Sequence, residues 1–237
     1  KKLFMNKIIR IHQPNYIPWL GFFHKILISD VFVFLDDVQY NKQSYISRSW
    51  VKQNKEIVRL SIPTKAPYSK CSISDVIIDT KDFARKHLNT LKFSYSNSNY
   101  YNQILNIIEP HYKVGKITLS DFNIGLITNL VDYHGLEVEL IKSSSLGLTS
   151  KNNDFLIDIS KACGCKIYVS GEGAKNYIEG HEDKYLENGI HLAYQNFLHP
   201  EYNQLTKPFI KGISILDLLF NKGKESSNII SNNVKEK

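Results

Sequence analysis

The hydrophobic residues of this chain gather in short runs that are separated by polar turns. Runs rich in Val, Ile, Leu and Phe lie at 7–12, 31–36, 56–62, 73–79, 136–142 and 166–170. Runs of this length and composition, bounded by turn-forming residues, are typical of β-strands. The pattern therefore predicts a strand at each of these positions.

Several of the intervening stretches carry apolar residues at helical spacing. The clearest faces are formed by Leu20, Phe23, Ile26 and Leu27 and by Phe83, His87, Leu91 and Tyr95. The same spacing predicts helices over 100–112, 120–134, 153–162 and 214–222. Strands that alternate with helices are typical of a parallel sheet covered on both faces. We therefore expect an α/β fold with a mainly parallel, Rossmann-like sheet flanked by helices.

Three regions depart from this alternation. Between 31 and 79 the strand-like runs follow one another with little helix, which predicts a β-rich insertion or an antiparallel extension of the sheet. After Gly189 the chain reads as a loop that ends in a C-terminal helical tail, and residues 224–237 are polar enough to fray. There is no internal repeat and no clear linker, so a single domain over 7–223 is expected.

Composition narrows the class of protein. Hydrophobic residues make up 42% and charged residues 22% of the chain, which is ordinary for a globular protein in water. No apolar run approaches the roughly 20 residues that cross a bilayer, and the N-terminal residues lack a signal-peptide pattern. We therefore expect a cytoplasmic protein without membrane insertion.

The charge balance leaves several partners open. A formal charge of +7 would suit nucleic acid, an acidic membrane surface or an anionic metabolite. The lysines are scattered, however, so a solubilising surface is favoured and nucleic acid is a less favoured partner. Three cysteines make no disulfide framework and fit a reducing compartment. Cys163 and Cys165 have the wrong spacing for a common metal site, so we expect them to be packing residues.

The first candidate for chemistry is the segment HQPNYIPW, which follows the first predicted strand. Ligands of parallel α/β sheets bind where strands end and loops enter helices. His12 can carry a proton near neutral pH, and Gln13 can both donate and accept hydrogen bonds. Tyr16 and Trp19 offer ring faces to a base or sugar. The alternative is a rigid turn around a buried, hydrogen-bonded histidine.

A second group of polar residues follows the second predicted strand. Asp36 and Asp37 stand at its end, and only one of them can point into a given pocket because strand residues alternate in direction. A carboxylate there could act as a general base, a metal ligand or an acceptor for sugar hydroxyls. Gln39 and Arg48 follow, and Arg48 could clamp a phosphate. A surface turn with a salt bridge remains the alternative.

The third candidate is the strand-to-helix junction IYVSGEGAKNYI at 167–178. Gly171 and Gly173 would let the backbone approach a ligand closely, and Glu172, Lys175 and Tyr177 are polar candidates beside them. Glycine is also common at such turns for steric reasons alone. The chain lacks the known hydrolase, kinase, zinc-protease and DNA-binding signatures, so no motif fixes a reaction, and no motif requires a metal or another cofactor.

Taken together, five separated segments resemble the successive motifs of the WbqC-like family. They are HQPNYIPWLGFFHKI, DVFVFLDDVQYNKQSYISRSWVK, LSIPT, IYVSGEGAKNYI and YNQLTKPFIKGISILDLLFNKG. The resemblance spans residues 7–223 and implies a bacterial protein of O-antigen, lipopolysaccharide or other surface-polysaccharide biosynthesis. It also implies, as a role proposed for the family, transfer of an acyl or aminoacyl group to the amine of a nucleotide-linked sugar. It brings no catalytic residues with it, although Tyr202 and Gln204 match the last motif.

The preferred hypothesis is therefore a transferase whose partners are a nucleotide-linked sugar and an acyl or aminoacyl donor. In it, His12 is the general base, and Asp36 or Asp37 orients it. Arg48 and the glycine turn hold phosphate. Tyr202 and Gln204 could close the pocket, although such a segment more often packs across the sheet edge. A non-catalytic nucleotide-sugar-binding module and, less favoured, a nucleic-acid-binding protein are the alternatives, and the oligomeric state is left open.

Overall fold

A parallel sheet lies at the centre of the protein, for which a computed structural model describes residues 7–42, 44–65, 70–79, 82–113 and 115–232. The strands are β1 (Ile8–His12), β2 (Val31–Phe34), β3 (Arg48–Gln53), β4 (Glu56–Ser61), β5 (Glu139–Lys142), β6 (Ile167–Ser170) and β7 (His191–Tyr194). Five of them form one sheet in the order β5-β2-β1-β6-β7, and all its neighbours are parallel. The predicted α/β fold class is confirmed.

The order of these strands creates a switch point. From β1 the chain moves outwards to β2 and then β5, and it returns to the other side of β1 to add β6 and then β7. The connections that leave β1 and β6 therefore depart in opposite directions. Between the carboxyl ends of these two strands a crevice opens, which is the usual ligand position in sheets of this type.

Helices flank the sheet. They are α1 (Leu20–Leu27), α2 (Phe83–Tyr95), α3 (Tyr101–Tyr112), α4 (Leu119–His134), α5 (Asn152–Ala162), α6 (Lys175–Ile178), α7 (Glu182–Glu187), α8 (Ile215–Lys222) and α9 (Glu225–Ser231). All the helices predicted from apolar spacing are present, with ends shifted by a residue or two. No helix within the described ranges has both the length and the apolar character to span a bilayer.

The two faces of the sheet bury different cores. Ile9 and Ile11 of β1 pack with α5 on one face, while Phe32 and Phe34 of β2 pack with α1 on the other. Residues paired across parallel strands point the same way, and β1 pairs position 10 with Phe32 and His12 with Phe34. Arg10 and His12 therefore point to the α1 side, which matters for the site described below.

The predicted β-rich insertion is an antiparallel pair, β3 and β4, separate from the main sheet. β3 lies outside the predicted strand runs, and 73–79, which the pattern predicts to be a strand, does not form one. Instead Ile73–Asp75 is a single 3₁₀ turn followed by isolated bridges. Ser72 explains the second difference, since its hydroxyl donates to Asp75 Oδ2 at 2.6 Å and closes a local turn that competes with a ladder.

Two elements near the C-terminus were not expected. β7 lies in the stretch after Gly189 that reads as a loop, and it is a half-exposed edge strand held by its pairing with β6. The segment expected to fray from residue 224 instead begins with α9, which packs against α1 and α8. Ile230 is 1% exposed and Ile229 packs against the same core, so two adjacent apolar residues order a polar segment. The last part of that segment, 233–237, lies outside the described residues.

Candidate functional site

A cavity of about 400 Å³ lies at the carboxyl ends of β1 and β6, at the switch point of the sheet. Its size falls in the range of small-molecule sites, about 300–1,000 Å³. The polar residues that line it are His12, Gln13, Lys25, Tyr168, Ser170 and Tyr177, and Gly171 and Gly173 lie beside them. Within the part of the chain that the structure describes, no carboxylate lines it.

The loop after β1 is rigid because neighbouring segments hold its backbone. The side-chain amide of Asn123 on α4 donates to the carbonyls of Pro14 at 2.8 Å and Ile46 at 2.7 Å. The backbone N–H of Tyr16 donates to the Tyr45 carbonyl at 3.0 Å. Ile17 adopts a positive φ of 31°, which a β-branched residue does only when its surroundings impose it. The dense polar and proline sequence thus turns the chain sharply from β1 into α1.

His12 is held in one orientation at the cavity wall. Its Nδ1–H donates to the Gln13 carbonyl at 2.9 Å, and its ring meets the Phe22 ring edge-on at a centroid distance of 5.0 Å. The remaining nitrogen, Nε2, has no hydrogen-bond partner among the described residues. Burial, followed by the charge of Lys25, lowers the pKa of His12 to about 3. His12 is therefore a neutral ring with a free acceptor nitrogen at physiological pH.

A cluster of basic residues adjoins this histidine. Arg10, His24 and Lys25 are 3%, 1% and 8% exposed, respectively. Among the described residues, Nε and Nη1 of Arg10 are buried without a partner, and Nζ of Lys25 makes no hydrogen bond or ion pair. Burial and then the charge of Arg10 lower the pKa of Lys25 to about 8, and burial lowers the pKa of Arg10 to about 10. Two buried cations thus lie close together, and no described residue supplies a counter-charge.

His24 adds a further donor to this cluster. Its Nδ1 accepts a hydrogen bond of 2.7 Å from the side-chain amide of Gln195, which follows β7. Burial, and then the charges of Arg10 and Lys25, lower the pKa of His24 to about 4, so the ring is neutral. The proton of a neutral ring that accepts at Nδ1 sits on Nε2. Nε2 is buried and has no partner in the described part of the chain, so its N–H is another unsatisfied donor.

Arg10, His24 and Lys25 are not predicted from the sequence as site residues, although their positions within apolar runs are unusual. Arg10 interrupts the apolar run IIRIH, and His24 and Lys25 interrupt FFHKIL. Charged residues are almost never fully buried unless they are paired. A basic residue at a position where the pattern predicts burial is therefore a reason to look for a ligand or a partner.

The glycine turn completes the cavity through close contact with Lys25. A Cβ atom at Gly171 would lie 2.7 Å from Lys25 Nζ, so a side chain there would displace the ammonium group. The φ of Gly171 is −77°, so glycine is required for space and not for backbone conformation. A Cβ atom built on Gly173 would instead lie in open space. Of the two glycines predicted to face a ligand, Gly171 has the clearer physical reason.

The carboxylates of Asp36 and Asp37 form their hydrogen bonds with serines and not with His12. Asp36 is 1% exposed and accepts hydrogen bonds from Ser120 Oγ at 3.1 Å, from Ser144 N at 3.0 Å and from Ser144 Oγ at 3.0 Å. Asp37 is half-buried and accepts from Ser143 Oγ. Since the Nδ1–H of His12 is bound to the Gln13 carbonyl, neither aspartate orients the ring as predicted. Asp36 instead ties the end of β2 to α4 and to the turn after β5.

The two aromatic residues of the first loop do not line the cavity. Tyr16 is 1% exposed, and its hydroxyl shares hydrogen bonds with His87 Nδ1 at 2.8 Å and with the Tyr112 hydroxyl. It is a core residue, so its ring is not available to stack on a ligand. Trp19 is 37% exposed, and its ring packs against Phe197 and over Gly21.

Gln39 and Arg48, predicted for the same cleft, lie elsewhere. Gln39 is exposed and bridges to Ser72. Arg48 lines a separate depression of about 340 Å³ beside the β3–β4 pair, together with Arg59. The expected phosphate clamp is thus absent from the switch-point cavity, where Lys25 supplies the cation.

The remaining predicted residues have identifiable partners. Glu172 and Lys175 form an exposed ion pair with an N–O distance of 3.1 Å, beside the cavity and not in its lining. The Tyr202 hydroxyl donates to Asp217 Oδ2 at 2.8 Å, and Gln204 Oε1 accepts from Lys52 Nζ at 3.0 Å. Burial raises the pKa of Asp217. These contacts fasten the C-terminal segment to β3 and α8, as the structural alternative predicted.

Comparisons with known proteins place these features in a family. The model of the WbqC-like protein family matches residues 13–229. A relative from Mycobacterium tuberculosis, named Uncharacterized protein Rv1507c, is 31% identical over 224 residues, which cover 93% of this chain and 96% of the relative. No solved structure matches the chain. The five motifs seen in the sequence are thereby accounted for, and this chain belongs to the WbqC-like protein family.

Proposed function

We propose that this protein is a cytoplasmic transferase of bacterial surface-polysaccharide (O-antigen) biosynthesis. It places an acyl or aminoacyl group on the amine of a nucleotide-linked amino sugar, and the reaction takes place in the cavity between β1 and β6. The observation that carries the proposal is the free Nε2 of His12 at the switch point of the sheet, next to the close turn at Gly171. Nucleotides bind at this position in sheets of the same type.

The transfer step needs one proton acceptor. The amine nitrogen of the sugar attacks the carbonyl carbon of an activated donor, an ester or thioester, and forms a new C–N bond. The bond between that carbon and the leaving oxygen or sulfur breaks, and the amine proton passes to His12 Nε2 and then to the leaving group. The Nδ1–H hydrogen bond to the Gln13 carbonyl keeps the proton on Nδ1, so Nε2 stays an acceptor. The same bond fixes the orientation of the ring in the rigid loop.

The pKa of His12 sets a condition on this role. A base with a pKa of about 3 accepts protons poorly at neutral pH. The charge of Lys25 is one cause of that low pKa, so an anionic group that binds against Lys25 would raise it. The proposal thus requires that substrate binding itself activate the base, which fits a substrate that carries phosphate.

Exchange of His12 for asparagine is expected to reduce turnover by about 10²–10⁴-fold, the usual contribution of a general base. Asparagine keeps a polar side chain of similar size, so nucleotide-sugar affinity should change little. The measurement is product formation by mass spectrometry, with nucleotide-linked amino sugars and acyl thioester or aminoacyl ester donors. His191→Asn, at an exposed histidine of β7, serves as the matched control and should retain full turnover.

The same low pKa supports a second candidate, a binding module without catalysis. In that case the wild-type protein binds nucleotide-sugars in calorimetry and yields no acylated product with any donor class. His12→Asn would then change affinity alone. Product formation by the wild type at rates unaffected by His12→Asn would rule out the assigned base and leave the cavity without its proposed chemistry.

A further inference from the structure

We propose that Lys25, supported by Arg10, is the anion-binding centre of this protein and holds a phosphate or diphosphate group at the switch-point cavity. The choice of phosphate rests on the proposed function, whereas the anion site itself does not depend on the transfer reaction. Lys25 lines the cavity and Arg10 lies behind it, outside the lining. Lys25 therefore contacts the ligand, and Arg10 is a positioning residue that acts through its charge.

The first argument is the absence of any counter-charge. Buried cations in folded proteins are paired with carboxylates or with ligands, because an unpaired charge loses its hydration without compensation. None of the ion pairs among the described residues includes Arg10 or Lys25. No carboxylate lines the described part of the cavity. The missing negative charge therefore has to come from the ligand.

The second argument is the donor capacity of Lys25 at the cavity wall. Its Nζ offers three donors and has no partner among the described residues. Nε and Nη1 of Arg10 and Nε2 of His24 also lack partners within the described ranges, but they lie outside the cavity lining and add to the positive field without contact to the ligand. A group with several acceptor oxygens and more than one negative charge matches two cations better than a single carboxylate does. Phosphate and diphosphate groups have this chemistry.

A purely structural role for Lys25 is the competing explanation. Lys25 lies in the last turn of α1, where a positive charge is favoured by the helix dipole. That effect does not require burial, since an exposed lysine at a helix end gains it equally. The close approach of Nζ to Gly171, at the cavity wall, likewise has no use in capping a helix.

Inorganic pyrophosphate is the probe that tests the site. Isothermal titration calorimetry at pH 7 should show binding to the wild-type protein, at least a tenfold loss of affinity in Lys25→Met, and a smaller loss in Arg10→Met. Lys86→Met, at an exposed lysine on α2, is the matched control and should bind as the wild type does. Circular dichroism checks that each variant is folded.

A second variant tests the geometry with the charge retained. Gly171→Ala adds a methyl group where Nζ now lies, so pyrophosphate affinity should fall although Lys25 and Arg10 are both present. Gly171 has an ordinary φ, so alanine is compatible with the backbone there. This variant also keeps the test decisive if Lys25→Met does not fold.

Affinity should also depend on pH through Lys25. Of the groups that face the cluster, His12 and His24 are neutral above pH 5, Arg10 stays charged to about pH 10, and burial holds the pKa of Tyr168 and Tyr177 above its ordinary value. Lys25, with a pKa of about 8, is the group that loses its charge first. From pH 7 to pH 9.5 pyrophosphate affinity should fall about 30-fold more in the wild type than in Lys25→Arg, which stays charged.

The outcomes separate this inference from the transferase proposal. Pyrophosphate binding that is lost in Lys25→Met supports the anion site, even if no donor yields a product. Competition by a nucleotide-sugar would assign the anion to that ligand, whereas competition by inorganic phosphate alone would assign it to a free phosphate. Equal binding of pyrophosphate by the wild type and Lys25→Met, or no binding by the wild type at millimolar concentration, would overturn the inference whatever the enzymatic activity.

Discussion

Replacement of Asp36 by alanine is expected to lower the free energy of unfolding by at least about 3 kcal/mol, because at least two hydrogen bonds to a charged acceptor are lost and each is worth about 1.5–3 kcal/mol. The carboxylate is 1% exposed, and its donors are the Ser120 and Ser144 hydroxyls, the Ser144 backbone N–H and, at 3.3 Å, the Ser143 hydroxyl that it shares with Asp37. Without it, these buried donors lose their acceptor. Urea denaturation followed by circular dichroism measures the loss.

The neighbouring carboxylate provides the control. Asp37 is half-buried, and the Ser143 hydroxyl is its partner among the described residues. Asp37→Ala should therefore cost about 1 kcal/mol, the value of a single typical hydrogen bond. If Asp36→Ala kept wild-type stability while transfer activity fell, the carboxylate would belong to the site and its structural role would be refuted.

The contrast between these two residues shows what a sequence pattern can and cannot resolve. Alternation along a strand states that adjacent residues point in opposite directions, but it does not state which side holds their partners. The serines that surround Asp36 come from α4 and from the turn after β5, more than 80 positions away in the chain. Such contacts depend on tertiary packing. The sequence therefore presents Asp36 and Asp37 as equivalent candidates, whereas the structure shows one buried and one half-buried carboxylate.

The fold itself was largely predictable because its main signals are local. Strands that are buried on both faces, such as β2, are continuous apolar runs, and the helices keep one apolar face. The errors fall where local and tertiary preferences disagree. β7 is an edge strand of only four residues that forms because β6 offers a free edge, and α9 is ordered by the burial of Ile230.

The site was predictable in position and only partly in chemistry. The rule that ligands bind at strand ends located His12, Gln13 and Gly171 at one cavity. Arg48, which the sequence suggests as a phosphate ligand, belongs to the separate β3–β4 pair. The periodicity of the sequence does not predict where this pair lies relative to the main sheet. Arg10 and Lys25 were overlooked because apolar runs were interpreted as core and their charged members were passed over. A charge inside such a run is thus the most informative exception in this sequence.

The unpaired cations lead to a second large effect, an increase in stability when one of them is removed. Lys25→Met is expected to raise the free energy of unfolding of the ligand-free protein by about 2–3 kcal/mol at pH 7. The fall of the Lys25 pKa from 10.5 to about 8, caused by burial and then by the charge of Arg10, corresponds to about 3 kcal/mol of destabilisation. Methionine matches the length of the lysine stem and has no charge to desolvate.

The pH dependence gives this prediction its sign. Below pH 8 Lys25 is protonated in both the folded and the unfolded state, so the full penalty is present. Between pH 8 and 10.5 the unfolded state binds more protons than the folded state, so the Lys25 contribution makes the wild type more stable as pH rises. The advantage of Lys25→Met should therefore shrink across that window, and the two proteins should converge near pH 10.5.

Denaturation curves of wild type, Lys25→Met and the exposed control Lys86→Met at several pH values measure this directly. The control should stay within about 0.5 kcal/mol of the wild type throughout. A variant that is more stable yet unable to bind pyrophosphate would show that the protein retains Lys25 for a ligand and at a cost in stability. A Lys25→Met protein that is less stable than the wild type at pH 7 would instead mean that the ammonium group has a favourable role in the fold, and the case for an unpaired charge awaiting an anion would fail.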